Sequence, residues 1–210
     1  MCAIFGIIGK TDKGLINKIS SLQLFRGPDS QDNYINEEKN FCLGSNRLAV
    51  IDKEGGKQPM FSQDKKNIVV FNGAIYNFKE IRNYLKKKGI SFSTDSDTEV
   101  VANSYMHWGK KMFNYFDGMW AISIYDEEKN EIVLSRDYVG QKPLFYLKRE
   151  DCIYFSSSLR SLSADKKNIF EIDKNNLKKF LITSYLSAPH TLYKNIYQVK
   201  PGQNIIINIK

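Results

Sequence analysis

Met119-Trp120-Ala121-Ile122-Ser123-Ile124-Tyr125 and Glu131-Ile132-Val133-Leu134-Ser135-Arg136 are apolar-rich runs joined by the short polar segment Asp126-Glu127-Glu128-Lys129-Asn130. A connector of that length cannot carry the chain across a sheet, so the two runs predict adjacent antiparallel strands. The pattern recurs at residues 143–148 and 152–156, joined by Arg149-Glu150-Asp151, and the succession predicts a meander in the second half of the chain. Working outward, apolar runs bounded by turn residues predict strands at about 2–8, 41–51, 67–72 and 204–209. Helical periodicity marks 13–24 (Leu15, Ile19, Leu22), 77–88 (Phe78, Ile81, Leu85), 97–108 (Val101, Tyr105, Trp108) and 174–184 (Leu177, Phe180, Leu181). The last of these is expected to open a linker or interface region. Ser96 and Glu99 have capping-box spacing, which puts Asp97 at the first helical position. Antiparallel strands with helices outside them define an α+β class.

The chain has 210 residues, 42% of them apolar, enough for one packed core. Its net charge of +8 comes from lysines scattered along the chain. That spread reads as solvated surface, whereas a nucleic-acid surface needs basic residues gathered on one face, so no nucleic-acid partner is expected. Cys2, Cys42 and Cys152 are an odd set without CxxC spacing, and His107 and His190 are the two histidines. Neither zinc nor a disulfide scaffold is expected, and no metal site. The apolar stretch from Cys2 to Gly9 is too short for a membrane span and has no basic segment before it. A reducing cytoplasm fits best, with no membrane partner.

A triad mechanism needs a histidine beside its nucleophile, but His107 lies in a predicted helix and His190 follows Pro189 in a late loop. Cys2 offers another route. Once Met1 is removed, its own α-amine, with a pKa of about 7.7–8.0, can exchange a proton with a thiol of pKa about 8.5. With Met1 attached, that nitrogen is an amide and has no basic lone pair. Taken alone, Cys2 reads more readily as a small buried apolar residue opening a strand. Asn72-Gly73 offers a side-chain NH2 and an unhindered backbone N–H to an oxyanion, or a hairpin turn. Arg47 has the planar fork suited to a carboxylate, or is a surface charge. Asp97 is an anion that helix-dipole stabilisation alone would explain.

Eight segments follow one another along the chain: Cys2-Ala3-Ile4-Phe5-Gly6, Arg26-Gly27-Pro28-Asp29-Ser30, Arg47-Leu48-Ala49-Val50-Ile51-Asp52, Gln58-Pro59, Phe71-Asn72-Gly73-Ala74-Ile75-Tyr76-Asn77, Ser96-Asp97-Thr98-Glu99-Val100, Phe116-Asp117-Gly118-Met119-Trp120-Ala121, and Arg136-Asp137 to Gly140-Gln141-Lys142-Pro143-Leu144. In this order they resemble the class II glutamine amidotransferases, the amino-terminal-nucleophile family, and within it the glutaminase domain of glutamine-dependent asparagine synthetases.

The resemblance implies a four-layer αββα fold, with two antiparallel sheets between helical layers, and hydrolysis of glutamine to glutamate and ammonia. It implies Cys2 as nucleophile and, through its amine, base and acid, with Asn72 and Gly73 stabilising the oxyanion. Arg47 would take the substrate carboxylate and Asp97 its ammonium, with Leu48, Val50 and Ala74 beside them. Arg26-Gly27-Pro28-Asp29 is expected to be a supporting turn whose charged pair bonds across it, and Arg136, Asp137 and Lys142 are expected to be structural.

No cofactor is implied here; ATP and magnesium are expected only in a synthetase domain, whose glycine- and serine-rich pyrophosphate loop these residues do not include. Residues 1–165 are expected to form the glutaminase domain, and 166–210 its end and the passage to the synthetase domain. Ammonia would go to that domain or subunit, amidating aspartate or, alternatively, a sugar acid in surface-polysaccharide synthesis; a homodimer is an allowed assembly. The rival class is a non-catalytic module for regulation or assembly, expected if Met1 stays attached. Relatives commonly carry Glu where this chain has Ala74, His where it has Phe25 and Ser45, and Glu where it has Ser158.

Overall fold

A computed structural model describes residues 1–168 and 170–209. The strands are β1 (Ala3–Ile8), β2 (Ser30–Asn36), β3 (Phe41–Arg47), β4 (Met60–Phe61), β5 (Asn67–Ile75), β6 (Gly118–Asp126), β7 (Glu131–Arg136), β8 (Phe145–Lys148), β9 (Ile153–Ser156), β10 (Ile196–Gln198) and β11 (Asn204–Asn208). The helices are α1 (Lys13–Leu22), α2 (Phe78–Lys87), α3 (Asp97–Trp108), the short α4 (Leu159–Leu162) and α5 (Lys174–Thr183), and a 3₁₀ segment, Gly109–Tyr115, follows α3. Ile169 and Lys210, within the region expected to lead toward a further domain, lie outside the described residues.

The strands form two antiparallel sheets, ordered β10-β8-β9-β1-β3-β2 and β11-β7-β6-β5-β4. Side-chain alternation along each strand explains the layering. In β1, Ile4 and Ile8 face a core between the sheets, whereas Phe5 and Ile7 face α1. In β5, Ile68 and Val70 face the inter-sheet core, whereas Val69 and Phe71 meet Val100, Val101 and Tyr105 of α3. Both faces of these strands are covered, which is why their sequences are nearly continuous apolar runs. The result is helix, sheet, sheet, helix, the four-layer α+β architecture.

Several local expectations need correction. The two predicted hairpins form, but β6-β7 belongs to the five-stranded sheet and β8-β9 to the six-stranded one, so these four strands do not make one meander. Asp137 makes the crossing possible: its buried carboxylate accepts from the backbone N–H groups of Trp120, Val139, Gln141 and Lys142, closing a tight turn that carries the chain out of its sheet. The run expected at 41–51 leaves the sheet after Arg47, and the one expected to end at Asn72 continues to Ile75. Asn72-Gly73 is therefore not a turn: these residues lie opposite Ala121 and Trp120 within the β5-β6 ladder.

Ser96 caps α3 by accepting from Thr98 N–H at 3.1 Å. Glu99 does not complete the capping box, because its carboxylate is taken by four donors, the N–H and hydroxyl groups of Ser93 and Thr94.

Candidate active site

Cys2, immediately before β1, directs its thiol at the first residue beyond β3. Its Sγ donates to Leu48 O at 3.5 Å and accepts from Leu48 N–H at 3.4 Å. Leu48 can serve both because β3 ends at Arg47, which frees the next backbone groups from the ladder. A cavity of about 190 Å³ opens there, lined by Met1, Cys2, Arg47, Leu48, Val50, Asn72, Gly73, Ala74 and Asp97 among others. Every site residue expected from the sequence thus lines one space. His107 and His190 do not line it.

Strand alternation sets what β5 presents. The N–H of Phe71 donates to Gln58 Oε1 at 2.7 Å, and that of Ile75 donates to Asp97 Oδ2 at 3.2 Å, both away from β6. Gly73 lies midway between them, so the two-residue repeat points its N–H the same way, into the cavity. On the β6 side, the opposing Trp120 spends its N–H on Asp137 Oδ2 and its carbonyl on Asp137 N–H. Asn72 faces the inter-sheet side, where its Nδ2 donates to Ser157 Oγ at 3.4 Å. That hydroxyl also accepts from Ile4 N–H at 3.0 Å, which ties Asn72 to the beginning of β1 beside Cys2. Gly73 also has a packing reason to be glycine: a methyl group there would collide with Met119 O across the sheet.

Arg47 is buried, and its guanidinium is seated by backbone carbonyls. Nη1 donates to Lys53 O at 2.8 Å, and Nη2 donates to Ile51 O at 3.0 Å and Asp52 O at 2.6 Å. Gly56 leaves room for this seat, since a Cβ at that position would strike Nη2. Among the described residues no carboxylate forms an ion pair with Arg47, so its charge is held in place without being neutralised. Asp97 occupies the first position of α3, as expected, and is also buried. Burial pushes its carboxyl up to about 6, against the backbone N–H groups and the Arg47 charge, which pull it down. A cation and a titratable acid thus line the same cavity, suiting a zwitterionic α-amino acid.

Four residues at or near the site have roles that the sequence does not announce or that differ from those it predicts. Gln58 pairs its amide with the backbone of Phe71, accepting from N–H at 2.7 Å and donating to the carbonyl at 3.0 Å, which pins β5 where the two-residue β4 is too short to do so. Ser157 had no signal beyond a run of three serines. Lys142, expected to be structural, lines the cavity, with Nζ at 3.4 Å from Met1 Sδ. Arg26 does not bond across its turn to Asp29: its Nε donates to Cys2 O at 3.4 Å, while Asp29 accepts from Ala49 N–H at 2.7 Å. The chain closes tightly at Gly27-Pro28, and each charge finds a nearer backbone partner than the other. Burial lowers the pKa of both Arg26 and Lys142, and for Lys142 the charge of Arg26 adds to the effect. Arg136 meets the structural expectation, donating to the carbonyls of Gly140, Lys142 and Val199.

Among the described residues no group of three His, Cys, Asp or Glu side chains could hold a metal ion. Nor, among them, is any helix long and apolar enough to cross a membrane.

Comparison with known proteins agrees with the geometry. Residues 1–210 match the family model described as a glutamine amidotransferase domain. The chain is 35% identical over 214 residues to asparagine synthetase [glutamine-hydrolyzing] 1 of Bacillus subtilis, covering 99% of this chain and 33% of that protein. It is 34% identical over 171 residues to asparagine synthetase [glutamine-hydrolyzing] 1 of Arabidopsis thaliana, covering 79% of this chain and 29% of that protein. The chain therefore spans about a third of the length of these relatives. The fold matches the solved structure of a glutamine phosphoribosylpyrophosphate amidotransferase from B. subtilis with a TM-score of 0.69 at 20% identity, covering 99% of this chain and 47% of that one. With a family model matched from its first residue to its last, the chain belongs to the class II glutamine amidotransferases, the amino-terminal-nucleophile family.

Proposed function

We propose that the chain hydrolyses glutamine to glutamate and ammonia, with Cys2 as nucleophile and its free α-amine as base and acid. The observation that carries this reading is the convergence of Cys2, Arg47, Asn72, Gly73 and Asp97, from four separate stretches of sequence, on one cavity. After Met1 removal, the amine takes the thiol proton and the thiolate attacks the side-chain amide carbon of glutamine. Asn72 Nδ2 and Gly73 N–H receive the negative oxygen. The ammonium then protonates the leaving nitrogen, ammonia departs, and a water molecule activated by the amine cleaves the thioester to glutamate.

Arg47 holds the substrate carboxylate and Asp97 its ammonium, with Leu48, Val50 and Ala74 as walls. The test is ammonia release matched by equimolar glutamate from protein whose intact mass lacks Met1. No release by that processed form would overturn the reading.

We further propose that the ammonia passes to a synthetase domain or subunit that amidates aspartate, since the asparagine synthetases matched here are about three times the length of this chain. ATP and magnesium would belong to that domain.

The buried acid supplies a pH-dependent prediction. Asp97 titrates near 6 when folded and near 3.9 when unfolded. Between those values the folded state binds the extra proton, so stability falls as pH rises through the window and stays reduced above it. Asp97→Asn removes the buried charge and keeps an oxygen for Ile75 N–H. At pH 7.5 the variant is expected to be more stable than wild type by up to about 3 kcal/mol, the gap closing below about pH 4. Its KM for glutamine is expected to rise tenfold or more, from loss of a charge-assisted contact of about 1.5–3 kcal/mol. Denaturant midpoints at the two pH values and steady-state kinetics check both effects; a variant less stable at pH 7.5 contradicts the first.

A further inference from the structure

Arg47 and Asp97 approach the cavity from different layers. Arg47 ends a strand of the six-stranded sheet, and Asp97 begins a helix packed on the five-stranded one. Among the described residues no hydrogen bond joins the two side chains directly, yet a glutamine bound at both ends requires a set distance between them. Asp52 spans that gap. Its carbonyl accepts from Arg47 Nη2 at 2.6 Å and from Gly56 N–H at 3.0 Å, closing the loop around the guanidinium.

One carboxylate oxygen, Oδ1, accepts from Gly55 N–H at 2.9 Å, a local turn contact. The other, Oδ2, reaches 43 residues along the chain to accept from Asp95 N–H at 2.7 Å, two residues before Asp97. Arg82 of α2 donates to Asp95 Oδ1 at 2.7 Å and Ser96 O at 2.9 Å, so the segment carrying Asp97 is held by both Asp52 and Arg82. The backbone N–H groups of Gly55 and Asp95 hold the Asp52 carboxyl below the usual range, with smaller contributions from Arg47 and Arg82, so it stays an acceptor at neutral pH. Asp52 is not among the residues lining the cavity. Its backbone has φ +48°, in the left-handed region.

We propose that Asp52 is a positioning residue, a strut that fixes Arg47 relative to Asp97 so that the carboxylate and the ammonium of glutamine are gripped together. The inference rests on the glutamine-binding roles proposed above for those two residues. A turn stabiliser alone would need only the contact to Gly55; the bond to Asp95 is what connects the two halves of the grip. Because misplacement by about 1 Å can cost 10²-fold in a positioned reaction, loss of the strut is costly only for a substrate that uses both halves.

The test uses Asp52→Gly, which keeps the left-handed turn and removes both carboxylate oxygens. Two substrates are compared, glutamine and glutaramate, which has the same carboxamide and carboxylate but no α-ammonium. Where glutaramate turnover falls below detection, it is followed as a competitive inhibitor of glutamine hydrolysis. The expected result is a loss of tenfold or more in kcat/KM for glutamine, with glutaramate changed by less than threefold, so that the preference for the ammonium-bearing substrate collapses. Equal losses for both substrates, or no loss for either, overturn the role of Asp52. If Asp52→Gly does not fold, Asp52→Asn decides: it tolerates the same turn but offers one acceptor oxygen, and a loss confined to glutamine supports the strut while parallel behaviour overturns it. Unchanged KM for glutamine in both Arg47→Ala and Asp97→Asn would instead overturn the grip itself, and the strut with it.

Discussion

Cys2→Ala is expected to abolish ammonia release from glutamine, a loss of roughly 10⁴-fold or more, while leaving the fold and glutamine binding in place. The fold should survive because the thiol's polar partners are the N–H and carbonyl of Leu48, which border an open cavity where water can replace it. The register of β1 begins at Ala3, opposite Asn46, and does not depend on the Cys2 side chain. Binding should survive because Arg47 and Asp97 are anchored by other groups, the 51–53 carbonyls and Ile75 N–H.

Thermal unfolding separates binding from chemistry: glutamine at a hundred times its Kd should add about 2.7 kcal/mol to the stability of the variant. Cys2→Ser should be strongly impaired, since a hydroxyl is a weaker acid and a poorer nucleophile than a thiol and depends more heavily on the amine to take its proton. Protein that retains Met1 should be inactive with its thiol intact. Ammonia release that survives Cys2→Ala would remove Cys2 from the chemistry.

Much of the fold was legible because β1, β3, β5, β6 and β7 are buried on both faces and read as apolar runs. The strands that escaped notice are the ones that break that rule. β2, Ser30-Gln31-Asp32-Asn33-Tyr34-Ile35-Asn36, is a partly exposed edge strand rich in polar residues, and β4 and β10 have only two and three residues. The sheet crossing after β7 could not be seen, because a hairpin looks the same whichever sheet receives it. Only the buried carboxylate of Asp137, gathering four backbone N–H groups, distinguishes that turn.

The site was legible through motifs, not through local physics. Cys2, Arg47 and Asp97 each had an adequate ordinary explanation in isolation, as apolar packing, surface charge and helix-dipole stabilisation. What turns them into a site is tertiary: β3 stops at Arg47 and leaves Leu48 free, and β4 is so short that Gln58 must hold β5, leaving Gly73 N–H facing space. Ser157, Lys142 and Arg26 reach the Cys2 region from loops tens of residues away, and nothing in their own neighbourhoods announces it. A glutamate in place of Ala74 would have added an anion next to Asp97. Its absence leaves Asp97 as the acid expected to meet the substrate ammonium, which is why that position should dominate KM.

Asn72→Ala is expected to lower kcat by about 10²–10³-fold with KM for glutamine changed little. Asn72 differs from Arg47 and Asp97 in when it acts. Its Nδ2 makes a long bond, 3.4 Å, to a serine hydroxyl that already accepts from Ile4 N–H, so this donor is weakly committed. A tetrahedral oxyanion is a far stronger acceptor, and the bond reaches full strength only as negative charge develops. An interaction made chiefly in the transition state lowers kcat and kcat/KM together, whereas loss of a ground-state contact raises KM.

The nearby Gly73 N–H remains in the variant, so the loss should stop well short of that in Cys2→Ala. Asn72→Asp sharpens the distinction, because it nearly preserves shape but sets an anion against the forming oxyanion; its kcat should fall at least as far as that of Asn72→Ala. The side chain is almost fully buried, 1% exposed, so melting temperature must be followed alongside kinetics. A folded Asn72→Asp that keeps wild-type kcat would leave Gly73 N–H as the oxyanion donor and return Asn72 to a packing role against Ser157.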